Sequence, residues 1–191
     1  MTEKQGLLIR ITLDSDIQIR IQCLVWGEDF DPEALPDGGA EATTYVVAHP
    51  SWHDIWDALA RLDGAIYPDM FLYMQDQPYT QPFMSIAGGP TDYAVSLALP
   101  EDPATHQPEK MLHYIDPRRA AEVNSCGVRE VGRATTNLEI EEVLFTSDRE
   151  VVMRLVRYFE QTGAWHPAVP YVEFISGAYE YGRVYVPQLN G

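Results

Sequence analysis

The chain opens on a period-two pattern. Leu7, Ile9, Ile11 and Leu13 alternate with Leu8, Arg10 and Thr12, and after Asp14-Ser15-Asp16 the pattern resumes at Ile17, Ile19 and Ile21. Alternation around a short Asp/Ser turn predicts a β-hairpin with one buried face. The stretch that follows, "GEDFDPEALPDGGAEATT", has two prolines, three glycines and no apolar period, and predicts an exposed loop.

Two segments switch to helical spacing. In "SWHDIWDALARLDG", Trp52, Ile55, Trp56, Leu59 and Leu62 fall on one stripe. Ser51 stands as N-cap with Asp54 answering three residues later, and Gly64 is placed to end the helix in a left-handed turn. In "SDREVVMRLVRYFEQTG" the stripe is Val152, Leu155, Val156 and Phe159, with Ser147 as cap, Glu150 as its third-position partner and Gly163 as stop. Trp52, Trp56 and Phe159 are expected in the core.

Short strand candidates lie around these helices: "MFLYMQ", "PFMSIAG", "DYAVSLAL", "KMLHYI", the segment from Val128 to Phe145, and "EYGRVYVP". Strands in consecutive runs predict an α+β fold, an antiparallel β-sheet with two main helices packed on it. No repeat or composition shift marks a boundary, so residues 1–191 are read as a single domain with an acidic loop at 28–41. The glycine pair of "AGGPTDYAVSL" raises the question of a phosphate cradle. Such a cradle needs its glycines directly ahead of a helix. Here Tyr93 to Leu99 alternate like a strand and no basic residue is close in sequence, so the pair is read as a hairpin corner.

Charge changes the picture most. Thirteen Lys and Arg face 29 Asp and Glu, a formal net charge of −16. A chain this acidic is repelled by nucleic-acid phosphates and anionic membranes and drawn to basic partners. The first residues lack the basic flank and apolar run of a signal peptide, and nowhere do about 18 apolar residues run together. Cys23 and Cys126 are far apart and fit no metal spacing. The expectation is a cytoplasmic protein with two buried thiols and no disulfide, binding neither membrane nor nucleic acid directly.

Candidate chemistry thins out on inspection. His49 and His53, with Asp54 and Asp57, superficially resemble a metal-binding helix, but His49 precedes Pro50 and the cap and so falls outside the helix. Glu101 and Asp102, between Pro100 and Pro103, read as a solvated turn, and Glu139, Glu141 and Glu142 as a solvated strand edge. No G-x-S-x-G elbow is present, and Cys126 has no neighbouring histidine to activate it. No catalytic residue, metal or cofactor is expected, and the chain is not read as an enzyme. The acidic loop stands apart: Glu28, Asp29, Asp31, Glu33, Asp37 and Glu41 run without a single basic residue, and Trp26 precedes them as core residue or partner-facing anchor. Its field is strong within a Debye length of about 8 Å, which suits recognition of a basic protein.

The order of "SWHDIWDALARLDG", "MFLYMQ", "FMSIAGG" and "DYAVSL", closed by "VRYFEQTGAWHPAVPYVEF", resembles immunity protein family one of bacterial polymorphic toxin systems, over roughly Ser51 to Phe174. The resemblance implies a protein that binds and silences a cognate toxin, often one with a deaminase-like fold, inside the producing cell. The long Glu28–Glu41 stretch and the extended C-terminus depart from that family. Stoichiometric binding of a basic deaminase- or nuclease-like toxin is the first expectation. The alternatives are a small carboxylate-dependent hydrolase and an acidic adaptor subunit for a basic protein.

Overall fold

The computed structural model describes residues 17–25, 41–48, 50–64, 69–74, 82–101, 109–131, 138–175 and 180–187. Strands β1 (Ile17–Val25), β2 (Glu41–Ala48), β3 (Asp69–Met74), β4 (Phe83–Gly88), β5 (Tyr93–Leu99) and β6 (Lys110–Tyr114) join β9 (Phe145–Thr146), β10 (Tyr171–Ile175) and β11 (Glu180–Tyr185) in one antiparallel sheet. Its order is β11-β10-β6-β5-β4-β3-β1-β2, with β9 added to β5. A separate antiparallel ribbon pairs β7 (Val128–Val131) with β8 (Leu138–Glu141). The strand-rich α+β expectation holds.

The N-terminal end departs from expectation. Gln18 to Val25 pair with residues 41–48 on one side and Ile17 to Ile21 with residues 70–74 on the other, while the first arm of the expected hairpin, Leu7 to Leu13, lies outside the described residues. Strand β2 begins at Glu41, inside the stretch read as loop. Thr43 to Val47 are β-branched and aromatic residues that favour strands. The glycines and prolines just upstream obscured that signal.

Helix α1 (Trp52–Arg61) and helix α2 (Arg149–Thr162) cover one face of the sheet. Ile55, Leu59, Val152 and Phe159 meet Leu72, Ile86 and Leu97 in the main core. The Asp54 carboxylate accepts from the Ser51 backbone N–H at 3.2 Å and from its hydroxyl, as expected of a capping box. Trp56 is 43% exposed, against expectation. The buried apolar positions are Ile55, Ala58 and Leu59 of α1 and the Leu62 that follows it, the narrow i, i+3, i+4, i+7 stripe that the sheet covers, and Trp56 falls on its flank. Trp52 is only partly buried, whereas Phe159 is fully buried.

Both helix ends correct the sequence reading in detail. Leu62, not Gly64, is the C-cap of α1, while Gly64 two residues later takes the expected left-handed turn at φ +71°. The cap of α2 is Asp148, not Ser147: its carboxylate accepts from Glu150 and Val151 N–H at 3.0 and 3.2 Å. Thr146 Oγ1 accepts the Asp148 N–H and sets the entry one residue later than expected. Gly163 ends the helix at φ +66°, as expected.

The glycine pair is a corner between β4 and β5, and a strand follows it. Gly88 and Gly89 take φ of +102° and +94°. A Cβ on Gly89 would stand 2.1 Å from the Leu62 carbonyl oxygen. The pair therefore lets the hairpin pass directly beneath the end of α1.

Candidate functional site

Side chains on a strand alternate between faces, so the face turned away from α1 and α2 is lined by the other half of each strand. The middle strands contribute a floor of small groups, Ser85 and Ala87 from β4 and Ala94 and Ser96 from β5. The flanking strands raise walls: Asp69 and Phe71 from β3, Met111 and His113 from β6. Phe83 at the start of β4 packs against Phe71, and Tyr181 and the β8 residues Glu139 and Ile140 form a rim. Small residues between large ones leave a cleft of about 330 Å³.

Two polar features sit in this cleft. At one end Ser96 Oγ lies 2.7 Å from His113 Nδ1. The imidazole meets Phe174 and Tyr181 edge-on, at ring separations of 6.2 and 5.8 Å. Burial lowers His113 to about 4 and pushes Tyr181 up to about 12, so both are neutral at neutral pH. At the other end Asp69 is 2% exposed, and its Oδ1 has no hydrogen-bond partner among the described residues. Burial raises this carboxyl to about 6. The strands β4 and β5 separate Asp69 from His113, about 14 Å at the usual strand spacing. No Ser–His–Asp relay forms from these three groups.

A second groove of about 560 Å³ lies on the helical side, lined by the exposed Trp56 and by Arg149, Arg154, Arg157, Tyr158 and His166. The Arg157 guanidinium lies 5.1 Å from the Trp52 ring centre, and Arg149 donates to the Pro90 carbonyl. Three of the chain's 13 basic residues thus gather on one helix.

Of the partner-binding residues expected from sequence, Trp26, Glu28, Asp29, Asp31, Glu33 and Asp37 lie outside the described residues, and Glu41 is the first residue of β2, not a loop residue. His49 and Asp102 also lie outside them. His53 is exposed on α1 with Nε2 3.4 Å from Asp57 Oδ2. Among the described residues no three His, Cys, Asp or Glu side chains gather as a metal site, and no helix is long and apolar enough to cross a membrane. Glu139 and Glu142 are exposed. Glu141 instead accepts from the Asn124 N–H and lies 3.6 Å from Cys126 Sγ.

Sequence reasoning missed Asp69, Ser96 and His113. The available signal was a polar residue inside an apolar strand run, "DMFLYM", "YAVSLAL" and "KMLHY". No family model, curated protein or solved structure matches this chain.

Proposed function

We propose that the chain is an immunity protein, a single α+β domain with two main helices that binds a basic, deaminase- or nuclease-like toxin stoichiometrically in the cytoplasm. The observation that carries this reading is the charge, 29 acidic against 13 basic residues. Toxins that act on nucleic acid need a basic groove to hold phosphates, and an acidic protein can plug it. The motif resemblance over Ser51 to Phe174 supports the same reading. The loop carboxylates Asp29, Asp31, Glu33 and Asp37 are the proposed contacts, with Trp26, Glu28 and Glu41 flanking them. The test begins with the neighbouring gene, expected to encode a large secreted protein with a small basic C-terminal domain. Mixed with that domain, the chain should form a one-to-one complex and abolish its activity. Replacing the four loop carboxylates by Lys should slow association and weaken its salt dependence. A toxin domain that stays fully active in excess chain overturns the proposal.

A second reading, a small hydrolase, is favoured by one observation, the hydrogen-bonded Ser96–His113 pair. Ester hydrolysis that disappears in Ser96→Ala with the fold intact would establish it, whereas equal residual turnover in both proteins would exclude this pair as nucleophile and base.

A further inference from the structure

We propose that the cleft on the open face of the sheet binds a guanidinium group, with the Asp69 carboxylate as its counter-charge. This rests on the cleft's own groups and not on the toxin partner proposed above.

The argument starts from Asp69. The residue is 2% exposed, lines the cleft, and leaves Oδ1 without a partner among the described residues. A buried acceptor left unpaired is costly, and an ionised carboxylate is satisfied only by donors, best by charged ones. The group that would satisfy it is therefore a cation carrying N–H groups. Its shape follows from the walls. Ser85, Ala87, Ala94 and Ser96 make a shallow floor, while Phe71 and Phe83 stand at the side. A guanidinium is planar, weakly hydrated and stacks on aromatic rings, whereas an ammonium is compact and strongly hydrated. The Ser85 hydroxyl, also in the lining, offers an acceptor for a remaining N–H. The volume of about 330 Å³ suits the end of a side chain or a small guanidine.

The chain already uses the same chemistry near this face. Arg129 on β7 lies 4.0 Å from the Phe145 ring centre and donates from one nitrogen to both Asp92 oxygens at 2.8 Å. That site is internally complete. At Asp69 the carboxylate and the rings stand without a guanidinium among the described residues.

The experiment is an NMR titration of the full chain at neutral pH with ethylguanidinium, n-butylammonium and the blocked tripeptide acetyl-Gly-Arg-Gly-amide. A saturable shift of the Asp69, Ser96 and His113 signals by ethylguanidinium is expected, with affinity falling about tenfold or more in Asp69→Asn. The ammonium should bind more weakly. Tighter binding of the tripeptide would make a partner's arginine the source, and its exclusion would make a free guanidine the source; either supports the proposal. Equal binding by Asp69→Asn overturns it, as does a response spread evenly over the surface. Arg20, which the β1–β3 register sets opposite Phe71, is replaced by Ala in parallel. Binding seen only in Arg20→Ala would show that the chain fills its own cleft, and would overturn an external ligand. No binding in either protein overturns it too.

Discussion

Ser96 Oγ and His113 Nδ1 lie 2.7 Å apart because the β5–β6 register sets the two residues directly opposite each other. Each is a polar group on a mostly apolar strand, and each supplies the other's partner. The pair anchors one end of a cleft whose other end holds a carboxylate with an oxygen unpaired among the described residues.

Removing one member of the pair should cost more than removing both. Ser96→Ala leaves an imidazole nitrogen unpaired in apolar surroundings and should destabilise the fold by about 1–3 kcal/mol. Combining it with His113→Phe should recover part of that loss, since neither polar group is then stranded. Urea denaturation of the two single variants and the double variant measures the coupling. Additive losses would show that the contact contributes nothing of its own.

Asp69 and His113 should give opposite pH dependences of stability. Asp69 titrates at about 6 when folded against 3.8 in the reference state, so the unfolded chain releases its proton first and stability falls as pH rises through that window. His113 titrates at about 4 against 6.5, so the unfolded chain binds a proton first and stability falls as pH drops through its window. A shift of this size corresponds to about 3 kcal/mol in full. Asp69→Asn should therefore gain up to about 3 kcal/mol at neutral pH and lose that advantage near pH 4. Denaturation at several pH values checks this, and a pH-independent difference would refute it.

Gly89 should tolerate no side chain. Gly89→Ala places a methyl 2.1 Å from the Leu62 carbonyl oxygen, at φ +94°. Crowding of about 1–3 kcal/mol adds to a left-handed penalty of about 1–2 kcal/mol. Gly127→Ala meets nothing closer than 3.8 Å, and should change stability little. Thermal melts of the two variants, run side by side, give the comparison. Equal melting shifts would mean that the corner can move away from α1.

The cap of α2 separates neighbouring residues. Asp148→Ala removes the acceptor for two backbone N–H groups and should cost about 1 kcal/mol. Ser147→Ala, at an exposed residue outside the cap, should stay within about 0.5 kcal/mol of the parent. A reversed ranking in chemical denaturation would restore Ser147 as the cap.

What the sequence determined by itself was local. Apolar stripes, an Asp three residues after Ser51, and Gly163 after Phe159 are short-range features, and each is enough to place a helix or its end. Alternation placed β3 to β6 for the same reason, and the strand after Gly89-Pro90 ruled out a helix-borne phosphate cradle. Trp56 shows the first limit. Helical spacing says which residues share a face, but only the sheet beneath decides how wide a stripe it covers, and Trp56 falls beyond its edge. The cleft shows the second. Asp69, Ser96 and His113 are 27 and 17 residues apart in sequence, and single polar residues in apolar strands carry no sign of one another. They come to one face because strand order and register fix which side chains are neighbours, and that pairing is a property of the whole sheet.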